Sequence, residues 1–426
     1  MSKRWSFFDF VALWIGACFC IPSFMLVSGL KNDGFSNLDV ILIVFAGSFL
    51  IGLLCALLGL KGSKSNSGFT DIVINIFGRS FAKVIISIRG IVCAGWFGIN
   101  IIILSQTVLE ILKKHISLNI LYEILIIAAA FLIFSLVNIL LSKSLNIMRY
   151  FERVSSILFL VIILYTVFGN TDMKASISQP MNQRSWVLLI DSVLLVFYYW
   201  SGLVSNITDY TRNAKSLRHS FWGNFIGVIS GMLLVCGLAL LSMYKAESIF
   251  GVPIWNPIEI FMKLYDGVLT ELIAVLILFV FMTTTNIAAN CYPAINCFSK
   301  AFSLDFRKSS LLLMVLSILF CPWFIISDFS VYAYYWINLY SLLIIPLIGM
   351  MMAVGFSIPE DNMFNKKNRY IYIICCTSGL ILYFTLPFLS NFMGIIVLIA
   401  SFGLSVLISH NGGIIILKKR FLKMIE

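Results

Sequence analysis

Charge is what this sequence has least of. Only 12% of its 426 residues are Asp, Glu, Lys or Arg, against about 25% in soluble domains. Histidine occurs three times and proline nine times. With 60% hydrophobic residues and a mean hydropathy of +1.00, this scarcity excludes a water-soluble globule, a disordered chain and a fibrous repeat. Alternating ten-residue apolar segments are missing too, which excludes an outer-membrane barrel. No nucleophile–base arrangement or metal-ligand spacing occurs at membrane depth, so the chain does not read as an enzyme. The ten cysteines lie in or beside apolar runs and read as buried free thiols.

Long apolar runs are what it does have. A spanning helix needs ~20 such residues, and twelve runs between residues 8 and 409 meet that need. They predict an all-α polytopic membrane protein with twelve transmembrane helices and short loops. The net charge of +11 reads as topology rather than nucleic-acid binding, because the basic residues gather in loops. Of the 30 Lys and Arg, 22 fall on the side of both termini and 7 on the other, with Arg89 inside the third run. The positive-inside rule then puts both termini in the cytoplasm. Met1-Ser2-Lys3-Arg4 precedes a run reaching Gly29 without a small-residue cleavage site, so it reads as an uncleaved first helix. Residues 244–267, with Pro253 and Pro257, predict an outer loop with a short helix over the bundle. Polar residues 356–369, with Pro359, link the tenth run to a final pair.

Within lipid, interrupted helices are tolerated only around buried or wet cavities. In the first run Pro22 removes a backbone donor, leaving carbonyls near Gly16 to Phe19 free to face a cation, or producing a plain kink. In the sixth, Tyr198-Tyr199-Trp200-Ser201-Gly202 is followed by Ser205, Asn206, Thr208 and Asp209. Interruptions five spans apart point to inverted repeats with a site at their interface. The eighth run carries Thr283-Thr284-Thr285-Asn286 and then Asn290, which offers hydroxyl ligands for a hard cation or a polar interhelical seam. In the third, Trp96 and Asn100 share one face, so an indole could stack a flat ring while the amide reads its edge.

Together, LWIGACFCIP (13–22), RGIVCAGWFGIN (89–100), WSGLVSNITDYTRNAKS (200–216), TTTNIAAN (283–290) and IPLIG (345–349) resemble, in order and spacing, the nucleobase:cation symporter-1 family of cytosine, purine, hydantoin and allantoin permeases. The resemblance implies a leucine-transporter-type fold of five plus five inverted helices with two extra, and broken helices 1 and 6. The repeats would be 1–169 and 186–354, followed by two helices in 370–409 and a cytoplasmic tail, 410–426. It further implies that Trp96 and Trp200 sandwich a planar substrate while Asn100 and Asn290 bind its edge, with the backbone near Tyr199 contributing. Sodium ligands would fall on the carbonyls of Gly16, Phe19 and Phe281 and the hydroxyls of Thr284 and Thr285. Asn100 stands where the family often has glutamine, and Met350-Met351-Met352 follow Gly349 in place of an Asp-Tyr pair.

Charges at membrane depth are candidates for function. Arg89, two turns before Trp96, reads as an inner-gate anchor or a snorkelling residue. Asp191 and Glu271 lie near outer ends, Asp209 and Arg212 close the sixth helix, and His115, His219 and His410 read as solvated. The expected function is import of a small planar nitrogen heterocycle across a bacterial inner membrane by alternating access, coupled to Na⁺. The alternatives are the same pocket coupled to H⁺, a vitamin-like heterocycle, or a receptor that moves nothing. Membrane lipids and the substrate are the expected partners; no cofactor beyond the coupling ion, no nucleic acid and no oligomer are required.

Overall fold

A computed structural model describes residues 4–168, 185–264, 267–319, 329–357, 366–386 and 392–409. Among these there is no strand. The helices are α1 (Phe7–Cys18), α2 (Ile21–Asn32), α3 (Asn37–Ser65), α4 (Phe69–Phe77), α5 (Arg79–His115), α6 (Ile120–Ser142), α7 (Leu145–Phe168), α8 (Trp186–Tyr199) and α9 (Ser201–Thr211). Then come α10 (Leu217–Phe250), α11 (Pro257–Leu264), α12 (Val268–Thr285), a π-helical stretch (Asn286–Cys291), α13 (Tyr292–Phe302), α14 (Phe306–Leu319), α15 (Phe329–Ser357), α16 (Lys367–Thr385) and α17 (Met393–Ser409). Helix occupies part of every expected apolar run. Among the described residues seven helices are long and apolar enough to cross a membrane, or eight if the bent pair α1–α2 is one span.

The polarity of the bundle is that of a protein solvated by lipid. Helix α6 exposes Leu125, Leu132, Ile133, Leu136 and Leu140, while Ser135 and Asn138 are buried against the bundle. The core is closed by α1 and α10, where Gly227 and Gly231 lie four apart on one face. A Cβ on Gly227 would sit 3.0 Å from the Trp14 ring, and one on Gly231 2.9 Å from the Trp14 carbonyl. Small residues here let two backbones approach closely. Trp14 Nε1 then donates to Asn224 Oδ1 at 2.9 Å, locking the register.

Three expectations need correction. Pro22 does not kink a continuous helix: it sits in the first turn of α2, where its missing N–H is not needed. The break lies before it, at Phe19 and the extended Cys20, and bends the pair by 64°. The fifth helix begins at Leu145, eight residues ahead of the apolar run that announces it at 153. Its arginines reach the N-terminal segment: Arg153 Nε, on a half-exposed side chain, lies 2.5 Å from Asp9 Oδ1 on α1, and Arg149 Nη1 donates to the Arg4 carbonyl at 3.0 Å. The outer loop at 244–267 is half helix, since α10 continues to Phe250 before α11. Pro359, Cys321, His410 and the tail 410–426 lie outside the described residues.

Candidate functional site

The break between α1 and α2 frees backbone carbonyls inside the bundle, and α12 supplies hydroxyls that meet them. Thr284 Oγ1 donates to the Gly16 carbonyl at 2.8 Å and lies 3.0 Å from the Phe281 carbonyl. Thr285 Oγ1 donates to the Ala17 carbonyl at 2.7 Å. Gly16, Phe281, Thr284 and Thr285, four of the five residues expected to bind sodium, are therefore gathered in one buried cleft. Ala17 joins them. The fifth, Phe19, sits at the break with its ring stacked on Phe159, centroids 4.6 Å apart. Every donor in the cleft is a hard oxygen, the kind Na⁺ takes. Gly16 carries no side chain for a reason: a Cβ there would collide with the Glu152 carboxylate and lie 3.3 Å from Thr284 Cβ.

Beside this cleft lies a cavity of about 30 Å³, room for a water or two. Trp96, Asn100, Tyr199, Trp200 and Asn290, which the family resemblance implies for substrate, all line it, together with Arg89, Thr285 and Tyr340. Tyr199 meets Trp96 edge-on, ring centroids 5.9 Å apart, and also Trp200, at 4.8 Å. Trp200 Nε1 points away, to Met232 Sδ at 3.0 Å. The Tyr199 hydroxyl lies 3.2 Å from Ser23 Oγ and 3.3 Å from Cys20 Sγ, tying α8 to the start of α2.

The cavity's polar groups are unequally occupied. Asn100 Nδ2 donates to the Trp96 carbonyl of its own helix at 2.8 Å, while its Oδ1 is buried without a partner. Asn290 Nδ2 donates to Asn286 Oδ1 at 2.9 Å. Arg89 is 1% exposed, so it does not snorkel. Its Nε lies 2.9 Å from Ser205 Oγ and 2.5 Å from Asn206 Oδ1, and Nη2 reaches the Gly202 and Ala289 carbonyls at 2.7 and 3.3 Å. Its Nη1 has no partner. Two residues that line the cavity thus each keep one buried polar atom without a partner, an acceptor on Asn100 and a cationic donor on Arg89.

The π-helical stretch explains how Arg89 finds the Ala289 carbonyl. A π turn is wider than an α turn and loosens its own ladder; Tyr210 Oη takes the Ala288 carbonyl at 2.5 Å as Arg89 takes its neighbour. No propensity in TTTNIAAN announces that turn. Tyr340 was also passed over: from α15 its hydroxyl donates to the Tyr199 carbonyl at 3.1 Å, capping the interruption at Trp200. Glu152 carries no sequence signal either, because it stands between Arg149 and Arg153 ahead of the apolar run.

The remaining charges are structural or peripheral. Asp209 accepts from the Phe69 backbone N–H at 2.9 Å and from Asn206 Nδ2 at 3.2 Å, holding the start of α4. Asp191 lines a separate cavity with Asp33 and Tyr198. His115 is not merely solvated: its Nε2 is 2.6 Å from Glu271 Oε2, with Lys114 3.4 Å from the other oxygen. That cluster joins the C-terminal end of α5 to the N-terminal end of α12. Among the described residues no group of three or more His, Cys, Asp or Glu is placed to hold a metal ion, and the nine cysteines there are buried and unbridged.

A helical bundle with an apolar outer face, a broken helix around buried oxygens and a polar-lined cavity beside it defines an integral multi-pass membrane protein of the transporter class. The chain belongs to the family of permeases for cytosine/purines, uracil, thiamine and allantoin, whose sequence model matches residues 1–373. It is similar to the allantoin permease of Bacillus subtilis, 25% identical over 405 residues, covering 87% of this chain and 80% of that one. A putative allantoin permease of Escherichia coli is 24% identical over 453 residues, 95% and 92% of the two chains. The purine-uracil permease of Arabidopsis thaliana is 26% identical over 372 residues; the match spans 83% of this chain and only 61% of that protein. The fold is shared with Mhp1, a nucleobase-cation-symport-1 family transporter solved in a closed conformation with bromovinylhydantoin bound. The TM-score is 0.74 at 17% identity, over 95% of this chain and 92% of that one. Against the inward-facing conformation of Mhp1 the TM-score is 0.67 at 16% identity, over 95% and 90%.

Proposed function

We propose that this protein is a secondary active transporter that imports a small planar nitrogen heterocycle, of the nucleobase, hydantoin or ureide type, by alternating access coupled to Na⁺. The observation that carries the reading is the double position of Thr285. Its side chain lines the cavity and its hydroxyl bonds the Ala17 carbonyl in the oxygen cleft. An ion that draws Thr285 toward α1 also shapes the cavity wall, which is the differential contact that coupling between two ligands requires.

The bare Asn100 Oδ1 and Arg89 Nη1 suit a ligand with a ring N–H and a ring carbonyl, as hydantoins, uracil, oxidised purines and allantoin have. The family and the relatives' names support the same class. Trp96 and Trp200 flank the ligand, Asn100 and Asn290 read its edge, and Tyr199 moves aside to admit it. The cation takes the carbonyls of Gly16, Phe19 and Phe281 and the hydroxyls of Thr284 and Thr285. Residues 1–169 and 186–354 act as two inverted repeats that rock about this site. The setting is a bacterial inner membrane with both termini cytoplasmic, as the distribution of Lys and Arg favours.

The test is thermal stabilisation of the purified chain by allantoin, hydantoin, uracil, cytosine, hypoxanthine and thiamine, each in Na⁺ and in K⁺. A ligand confined to the native state stabilises by RT ln(1 + [L]/Kd). A heterocycle that stabilises more in Na⁺ supports the reading. A hit equal in both salts removes the sodium coupling, and no hit removes the substrate class.

A further inference from the structure

Glu152 is a charge the carrier reading above does not use. It lies on α7, about two turns in from Leu145, and is 1% exposed. Both its carboxylate oxygens are buried with no hydrogen-bond partner among the described residues. The basic side chains one turn before it and next to it are committed elsewhere, Arg149 to the Arg4 carbonyl and Arg153 to Asp9. The carboxylate points at the broken helix instead. It crowds the same face of Gly16 that Thr284 crowds, and the Thr284 hydroxyl is on the Gly16 carbonyl. A bare carboxylate in a low-dielectric interior is strongly disfavoured until a cation joins it.

We infer that Glu152 is the charged ligand of the cation cleft, contributing a carboxylate oxygen from α7 to the neutral oxygens that α1 and α12 supply. The inference rests on the sodium-coupled reading and deepens it. One carboxylate against one Na⁺ makes the loaded site electrically neutral, which eases its passage through the middle of the membrane. A divalent ion would leave a net charge there, so the site selects monovalent cations. It also gives α7 a stake in the ion's presence: an occupied cleft ties α7 to α1 and α12, and an empty one leaves the carboxylate uncompensated.

The experiment is thermal unfolding of the purified full chain against NaCl concentration, with N-methyl-D-glucamine chloride holding ionic strength constant so that screening does not contribute. Wild type, Glu152→Gln, Glu152→Asp and Thr285→Ala are compared, and ²²Na⁺ binding is measured on the same samples. Glu152→Gln keeps the shape and removes the charge, so without Na⁺ it unfolds at or above the wild-type temperature. The inference predicts that it raises the Na⁺ midpoint by about tenfold or more, as removal of a charged metal ligand or its support does. Glu152→Asp falls between the two. If Thr285→Ala loses the Na⁺ response and Glu152→Gln keeps it unchanged, the cleft binds Na⁺ without Glu152 and the inference is overturned. If wild type shows no Na⁺ response, the sodium-coupled reading itself fails, and the inference with it.

Discussion

The helix pairs α1–α2 and α8–α9 are each interrupted near the middle of the bundle, and the two interruptions are managed differently. Between α1 and α2 the backbone leaves the helical path for two residues and bends by 64°. At Trp200, φ −93° and ψ −2° stay near helical values, the Val204 N–H still reaches the Trp200 carbonyl at 3.1 Å, and 186–211 runs on as one span. Both breaks free carbonyls, and hydroxyls from another helix take them. At the first these are threonines, at the second Tyr340. A threonine offers a compact hard oxygen beside a buried carboxylate, whereas a tyrosine adds an aromatic wall. On the proposed function, these two backbone defects serve as the ion cleft and as part of the ring-binding cavity.

The largest effect on this comparison comes from the residue that braces the second break. Arg89→Ala strips partners from Gly202, Ser205, Asn206 and Ala289 at once. Hydrogen bonds to a charged group contribute about 1.5–3 kcal/mol each, so the variant loses most of its thermal stability in detergent and all heterocycle binding. Thr285→Ala comes next. It removes one hydroxyl shared by cleft and cavity, and both the Na⁺ midpoint and the heterocycle Kd rise about tenfold, equivalent to about 1.4 kcal/mol. Titrating each ligand in turn checks this, and a change in only one of them separates the two sites.

Tyr340→Phe sharpens the contrast, because it leaves the Tyr199 carbonyl uncapped and spares α1. Stability falls by about 1 kcal/mol and heterocycle affinity drops, while the Na⁺ midpoint without heterocycle stays at the wild-type value. The smallest effect belongs to the cluster around Glu271. His115→Ala removes a half-exposed partner of Glu271, and stability changes little, as for other contacts at an exposed edge. Neither ligand's affinity shifts, in unfolding or binding measurements between pH 6 and 8; a shift would give that cluster a part in coupling.

What the sequence made legible follows the same division. Trp96 and Asn100 declare themselves by a four-residue spacing on an apolar helix, and the threonine run by its polarity at membrane depth. Their convergence on one cavity and one cleft needed only that the helices pack in the family's order. Glu152 was illegible because hydropathy searches for apolar runs, and α7 buries Arg149 and Glu152 on its inward face. Ile147, Tyr150, Val154 and Ile157 look to lipid, while Met148, Glu152 and Phe159 look to the core. A polar stretch beside an apolar run then reads as loop although it is the first two turns of the helix. The π-helical turn was illegible for another reason. Its widened ladder is held by Arg89 and Tyr210, which stand 200 and 78 residues from the carbonyls they bond, and local sequence carries no trace of partners so distant. Pro22 marked the first break correctly but misplaced it, because a proline that starts a helix and one that kinks it look alike in sequence.

The central claim is that cleft and cavity communicate through Thr285. It is tested most directly by measuring the heterocycle's Kd at low and saturating Na⁺, and the Na⁺ midpoint with and without the heterocycle, on wild-type protein. Linkage requires both ratios to be the same factor, and the account predicts a factor of about five or more in wild type that collapses toward one in Thr285→Ala. Two ligands that bind wild type with no effect on each other would contradict it.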